Sequence, residues 1–382
     1  MLTLEKFKQA SAIVKEVTLP TKLVYSEYLS KQTGADVYLK PENMQYTGAY
    51  KVRGAYYKIS TMSEEDRKKG LVTASAGNHA QGVAYAAKKF GCKATVVMPT
   101  VTPLIKVNRT KSYGAEVVLH GDVYDDACAY AMKLAEEEGY TFVHPFDDLD
   151  VATGQGSIAM EIFEELPDVD YILAPIGGGG LITGVSTLTK MLNPNVKVIG
   201  VEPAAAASMT EALKERHPVT LASANTIADG TAVKRVGEKI FPYAEKNIDE
   251  VITVADDDLI GAFLDVVENH KMIVENSGLL TVAALRQLDL KGKKVGGTYP
   301  SATIVIIANT IAERKYGLEP GDYSIVSGNE SRLAQFIAQK QIDASILRSI
   351  TYENLKNKVK LRKLGALKDE WKSISGSSAA PY

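Results

Sequence analysis

Apolar runs of strand length alternate with helix-length amphipathic stretches through most of the chain, and this alternation limits the available folds more than any other feature. The runs lie at 36–40 (DVYLK), 70–75 (GLVTAS), 93–99 (KATVVMP), 115–121 (AEVVLHG), 140–145 (YTFVHP), 171–177 (YILAPIG) and 196–203 (VKVIGVEP). Each is followed by helix-compatible sequence, the order expected of an α/β protein whose parallel sheets are covered by helices. The loops after these strands are rich in Gly, Asn and Ser, and the carboxyl ends of parallel strands are where such folds place a ligand crevice.

Composition narrows the partner. With 45% hydrophobic and 24% charged residues, the 382-residue chain can bury a large core. Its net charge of -2 is not the clustered basic surface that nucleic acid or an acidic membrane requires, so a small-molecule partner is expected. Cys92 and Cys128 show no metal-ligand spacing and suit a reduced, cytoplasmic protein. The opening stretch MLTLEKFKQASAIVKE reads as an amphipathic helix, not a signal peptide. No repeat of fixed period is present. The chain is expected to form a large domain from 1–51 and 148–325 and a small one from 52–147. Beyond them, 326–382 reads as a helical extension, with Leu355, Val359, Leu367 and Trp371 at roughly helical spacing, and a low-complexity tail.

Three short stretches carry chemistry. PIGGGGLITG (175–184) runs a strand into four glycines and then a helix, so backbone N–H groups can converge on an anion at the positive end of a helix. Gly177, Gly178, Gly179 and Gly180 are therefore a candidate phosphate cradle. The stretch lacks the Lys-Ser or Lys-Thr of a P-loop and the spacing of a dinucleotide fingerprint, and a tight turn under close packing is the plainer alternative. In TASAGNHAQG (73–82), Ser75, Gly77, Asn78 and His79 lie where helix N-terminal amides can hold a carboxylate. A simple helix cap would look the same, and a lone His79 equally suits a structural hydrogen bond. Lys51, between TGAY and VRGAYY, would be desolvated and its amine pKa lowered, which prepares a lysine for imine formation. A surface lysine snorkelling beside Arg53 is the competing possibility. Taken together, a phosphate cradle, a carboxylate cradle and a desolvated amine point to pyridoxal phosphate with an amino-acid substrate.

KPENMQYTGAYKVRGA, TASAGNHAQGVA, MPTVTPLIKVNRTKSYGAEVVLHG, DVATGQGSIAMEI, PIGGGGLITGV and IADGTAVKR, in that order, resemble the fold-type II pyridoxal-phosphate enzymes, and among them the catabolic threonine (serine) dehydratases. The similarity runs from the N-terminus to about Val295. It implies a two-lobed fold of the tryptophan synthase β type, with parallel-rich twisted sheets flanked by helices. It also implies that Lys51 holds the cofactor as an imine, that Asn78 bonds the ring hydroxyl, and that Gly177 to Gly180 with Leu181 hold the phosphate. Ser75, Ala76, Gly77, Asn78 and His79 would grip the substrate carboxylate. The implied reaction is β-elimination from L-threonine or L-serine to 2-oxobutyrate or pyruvate and ammonia, with Lys51 taking the Cα proton and the cofactor phosphate protonating the departing hydroxyl. Relatives are commonly dimers or tetramers, so a homo-oligomer is expected.

The chain departs from the family pattern at two positions within the similar part and throughout the C-terminal segment. Serine racemases, which the chain also resembles, carry a second serine where Ala76 stands, and that hydroxyl reprotonates Cα from the opposite face. They also place an acidic residue at the position of Ser208, which joins Glu202 and the Ala206 carbonyl around a divalent cation. Ser208 brings no charge, so at most a weak or monovalent cation site is expected at Glu202. After LKGKKV the pattern changes, and the serine expected at the pyridine nitrogen becomes Ser327 in IVSGNE, with Ser301 in YPSAT as its rival. The C-terminal segment lacks the alternating pattern of the family's regulatory module. A racemase or β-replacement enzyme of the same fold, and a catalytically impaired amino-acid or cofactor-binding variant, stay open as alternatives. Calorimetric titration with magnesium is expected to show no tight site; tight binding would contradict the inference drawn from Ser208.

Overall fold

A computed structural model describes residues 1–298; Ser301, Ser327 and the expected C-terminal extension lie outside them. The chain opens with α1 (Leu4–Val14), whose N-terminus is capped by the Thr3 hydroxyl accepting from the Lys6 N–H and which buries Phe7, Ala10 and Val14. There follow β1 (Val24–Tyr25), α2 (Glu27–Thr33), β2 (Asp36–Lys40), α3 (Lys51–Ser60) and α4 (Glu64–Lys69). Regular alternation then runs through β3 (Leu71–Ala74), α5 (Asn78–Lys89), β4 (Ala94–Met98), α6 (Leu104–Ser112), β5 (Glu116–Leu119), α7 (Tyr124–Glu138) and β6 (Thr141–Phe142). It continues with α8 (Leu149–Glu165), β7 (Tyr171–Pro175), α9 (Gly180–Leu192), β8 (Lys197–Pro203), α10 (Ser208–Glu215) and α11 (Phe241–Asn247). The last described elements are β9 (Glu250–Val254), α12 (Asp256–His270), α13 (Asn276–Ala284) and β10 (Lys294–Thr298).

All seven expected strands form; β2 keeps its expected bounds and the other six are trimmed at one or both ends. They make two sheets. One has the order β5-β4-β3-β6 and is parallel throughout. The other has the order β1-β2-β10-β7-β8-β9 and is parallel except for β1. Three strands were not anticipated, for different reasons. β1 is two residues long, too short to show a period. β9 alternates burial and exposure with only a brief apolar signal. β10 reads KVGGT, and glycine lowers strand propensity, yet β10 lies in the sheet interior between β2 and β7.

The strand orders fix where a ligand can enter. In the four-stranded sheet the chain proceeds from β3 through β4 to β5 on one side and returns to place β6 on the other. In the six-stranded sheet it proceeds from β7 through β8 to β9 and returns to place β10 on the opposite side of β7. β3 and β7 are thus the strands at which the order reverses, and their carboxyl ends are the topological switch points where open parallel sheets bind ligands. The loop after β3 is SAG (75–77) and the loop after β7 is IGGG (176–179).

Helix α3, which begins at Lys51, is packed on both sides at backbone distance. A Cβ added to Gly82 of α5 would lie 3.0 Å from the Lys51 carbonyl carbon. One added to Gly154 of α8 would lie 2.7 Å from the Arg53 carbonyl oxygen and from Gly54 Cα. Further along, α8 meets α9 through Gly184, whose Cβ would fall 2.0 Å from the Ala152 oxygen. Overpacking a close helix crossing costs about 1–3 kcal/mol, so Gly154→Ala is expected to lower the thermal midpoint by several degrees, measured by calorimetry or circular dichroism; an unchanged midpoint would show that α3 and α8 can separate freely.

Candidate active site

Lys51 is the first residue of α3. Its Nζ donates to the Pro145 carbonyl oxygen at 2.7 Å and lies 5.4 Å from the Tyr50 ring centroid. Burial lowers the Lys51 pKa to about 8, partly offset by the negative charge of Glu275. The residue is half-buried.

The glycine loop is shaped by close contacts. A Cβ at Gly178 would fall 2.2 Å from the Phe146 ring, and one at Gly180 would fall 2.8 Å from the Phe146 oxygen. Gly179 adopts φ +97°, a conformation that side chains rarely tolerate. The N–H groups of Gly177, Gly178, Gly179, Gly180 and Leu181 meet no acceptor among the described residues. They stand at the N-terminus of the thirteen-residue α9, which suits an anion. The Leu181 side chain belongs to the apolar core beside β7 and β8, so only its backbone is available to the site.

The loop after β3 is more sparing. The Ser75 N–H is used by the Val97 oxygen at 3.2 Å and the Gly77 N–H by Ser75 Oγ at 3.2 Å. That leaves the N–H groups of Ala76, Asn78 and His79 without an acceptor among the described residues. The His79 ring turns away into the interior, where Nε2 pairs with the Val143 carbonyl at 2.9 Å and Nδ1 is buried without a partner among the described residues. Burial, with Lys51 nearby, pushes its pKa down to about 3, so the ring is neutral. Its contribution at the crevice is therefore its backbone N–H. Asn78 Nδ2 donates to Glu275 Oε1 at 2.8 Å.

Glu275, just before α13, escapes sequence reasoning altogether. It lies 197 residues from Asn78, and nothing in VENSG marks it. The turn at Asp229–Thr231 sits between it and the glycine loop: a Cβ at Gly230 would be 3.2 Å from Glu275 Oε1, and one at Gly177 would be 3.0 Å from Thr231 Cα. IADGTAVKR, visible in the sequence only as part of a family pattern, thus supplies the wall between two site loops. These contacts link the segments that carry the expected site residues 51, 75–79 and 177–181 to one another.

Glu202 is elsewhere. Its carboxylate is fully buried at the start of α10, where Oε1 accepts from the Met209 N–H at 2.7 Å and Oε2 from the Thr210 N–H at 2.9 Å and hydroxyl at 2.8 Å. Burial raises its pKa to about 7, against the pull of these three donors. Ser208 Oγ is buried without a partner among the described residues. No cluster of three or more His, Cys, Asp or Glu with metal-binding geometry occurs among the described residues.

Two loops at sheet switch points that open helices, beside one lysine of depressed pKa, are the groups that a phosphorylated aldehyde cofactor calls for. The chain belongs to the pyridoxal-phosphate dependent enzymes, the family whose model matches residues 14–309. It is 48% identical over 296 residues to the L-threonine ammonia-lyase of Thermotoga maritima, covering 77% of this chain and 74% of that protein. Among solved structures it is similar to the processed form of threonine deaminase isoform 2 from Solanum lycopersicum, with TM-score 0.76 and 40% identity, covering 79% of this chain and 90% of that one. It is also similar to serine racemase from Dictyostelium discoideum, with TM-score 0.75 and 35% identity, covering 79% and 98%. A second family model, NMT1/THI5 like, matches residues 276–371.

Because the folded Lys51 pKa lies below the ordinary value of 10.5, the cofactor-free folded state binds fewer protons than the unfolded chain between pH 8 and 10.5, and stability rises with pH across that window. Lys51→Met is expected to flatten this rise and, at pH 7, to stabilise the cofactor-free protein by at most about 3 kcal/mol, read from urea melts at several pH values. An unaltered pH profile would show the amine to be well solvated.

Proposed function

We propose that this protein is a threonine ammonia-lyase, converting L-threonine, and L-serine, to 2-oxobutyrate or pyruvate and ammonia by β-elimination. One observation carries the proposal: the Lys51 amine, lowered to about 8, is held against the same chain segment that packs on the glycine loop, through Pro145 and Phe146. The donor set fits pyridoxal phosphate. Five N–H groups at residues 177–181 without an acceptor among the described residues suit its phosphate, and Lys51 suits its aldehyde. Once bound, pyridoxal phosphate supplies an electron-withdrawing ring that acidifies the substrate's Cα–H bond.

The chain's own groups do the rest. The N–H groups of Ala76, Asn78 and His79 hold the substrate carboxylate at the start of α5. The Asn78 amide, fixed by Glu275, faces the crevice with one orientation. The Lys51 amine donates to the Pro145 carbonyl, which fixes its place, and in its neutral form it would be the group that takes the Cα proton. With a pKa near 8 the amine is a competent base near neutral pH and can hold the proton until the β-hydroxyl has left. Ala76 offers no hydroxyl for a second proton transfer on the opposite face, which favours elimination over racemisation.

The family's two lobes are proposed here as 52–147 and 1–51 with 148–325, the enzyme as a cytoplasmic homo-oligomer, dimer or tetramer. Any cation at Glu202 would have to share oxygens that already accept three hydrogen bonds, which supports a weak or monovalent ion at most. Purified protein supplied with pyridoxal phosphate and L-threonine is expected to release 2-oxobutyrate and ammonia in equal amounts, and borohydride is expected to fix the label on Lys51. Lys51→Ala should lower kcat by about 1,000-fold or more; turnover retained in that variant would overturn the proposal.

A further inference from the structure

Between β6 and α8 the chain turns through His144–Asp148, and each residue of the turn has a second job. The Pro145 oxygen accepts from Lys51 Nζ at 2.7 Å. Phe146 packs where Cβ atoms at Gly178 and Gly180 would otherwise lie. Asp147 Oδ1 accepts from the N–H groups of Lys239 and Ile240, at 2.7 Å and 3.3 Å. Asp148 caps α8 through the Asp150 and Val151 N–H groups and pairs with Lys58 of α3 at 2.8 Å. What bends the turn is His144, whose Nδ1 accepts from the Phe146 N–H at 3.2 Å and the Asp147 N–H at 2.8 Å.

We propose that His144 is a positioning residue: its unprotonated Nδ1 folds the turn that sets the Pro145 carbonyl against the Lys51 amine and the Phe146 ring against the glycine loop. The inference rests on Lys51 and residues 177–181 forming the cofactor site. Nδ1 carries a single lone pair, and a protonated ring would present an N–H to two N–H groups, so only the neutral ring supports the turn. Its environment keeps it neutral. Phe142 and Phe146 pack on the imidazole with centroids at 5.9 Å and 4.7 Å. The charged groups facing it are Asp147 and Asp148 of the turn, Lys51 of α3 and Lys239 before α11. Burial is the largest influence and, with the lysines, outweighs the aspartates, lowering the pKa to about 4.

Two variants separate the hydrogen bonds from the packing. His144→Asn keeps an acceptor near the position of Nδ1, while His144→Phe keeps a ring against Phe142 and Phe146 and loses the acceptor. With pyridoxal phosphate bound, H144N is expected to retain the visible absorbance of the Lys51 imine and its pH titration, with kcat for threonine within about threefold of the parent. H144F is expected to lose imine absorbance and to drop kcat by about tenfold or more with little change in KM. Without cofactor, His144 contributes a loss of stability as pH falls from 6.5 towards 4, because the folded state binds fewer protons at this ring than the unfolded chain does. H144N should remove that contribution from the parent's pH profile, leaving those of His79 and His270 and the opposite one of Glu202. The proposal is overturned if H144F matches the parent in absorbance, titration and kcat, or if H144N is as impaired as H144F. Should H144F fail to fold, H144N decides alone: parental absorbance supports the proposal and lost absorbance overturns it. Should the parent itself form no imine at Lys51, the cofactor assignment fails separately, and the pH slope of H144N still tests the hydrogen bonds.

Discussion

The backbone of Lys51 lies against Gly82 of α5 on one side, and Gly54, three residues on, lies against Gly154 of α8 on the other. Close approach of this kind leaves the helix carrying the amine little lateral freedom, because packed interiors yield only at a cost of kilocalories. From that fixed point a closed circuit of contacts surrounds the crevice. Gly82 belongs to the helix that begins at Asn78; Asn78 is bonded to Glu275; Glu275 touches the Gly230 turn; Thr231 abuts Gly177; and Phe146, packed on Gly178 and Gly180, leads back through Pro145 to Lys51. No segment in the circuit can shift alone, so the site is preorganised by the fold, as catalysis by positioning requires.

Two cations two residues apart show how differently the fold treats charge. Arg53 is fully buried, and burial by itself would lower its pKa, but Glu42 and Glu161 outweigh that and raise it. The guanidinium meets Glu42 at 2.8 Å and Glu161 at 2.6 Å, and Lys40 completes a neutral quartet through Glu161 at 2.6 Å. Removing one member of such a network strands a buried charge at about 3–5 kcal/mol, so the quartet fixes the register of α3 against β2 and α8. Lys51 receives no comparable partner. Its acceptor is a neutral carbonyl, and Glu275 offsets only part of the desolvation. One face of the helix is thus neutralised for rigidity, while the next holds an amine that is easily deprotonated.

What the sequence revealed follows the range over which each signal acts. Strands β2 to β8 are apolar runs bounded by turn residues, and the glycine loop and the SAGNH loop announce themselves locally as strand-to-helix junctions. Lys51 is legible only jointly with those loops. β10 is hidden because two glycines sit in a central strand, where pairing to β2 and β7 overrides propensity. Glu275 and His144 are hidden for another reason: their roles are set by partners brought together by the sheet crossovers, and a lone Glu or His in sequence carries no mark of that. Glu202, singled out for a cation, proves to satisfy the first N–H groups of α10, a need that every helix start has and that no motif advertises.

Four helix starts border the crevice: α3 at Lys51, α5 at Asn78, α9 at Gly180 and α13 at Asn276. Each contributes a partial positive charge within its first turn, and two of them carry N–H groups with no acceptor among the described residues, which suits anions. That field attracts a phosphate and a carboxylate. Desolvation disfavours Lys51 as a cation. Glu275 moderates the effect without neutralising it, since its Oε1 is engaged by Asn78. The helix starts that would gather cofactor and substrate and the burial that would free the lysine to act as nucleophile and base come from the same packing of helices, and the two properties cannot be varied independently without moving a helix.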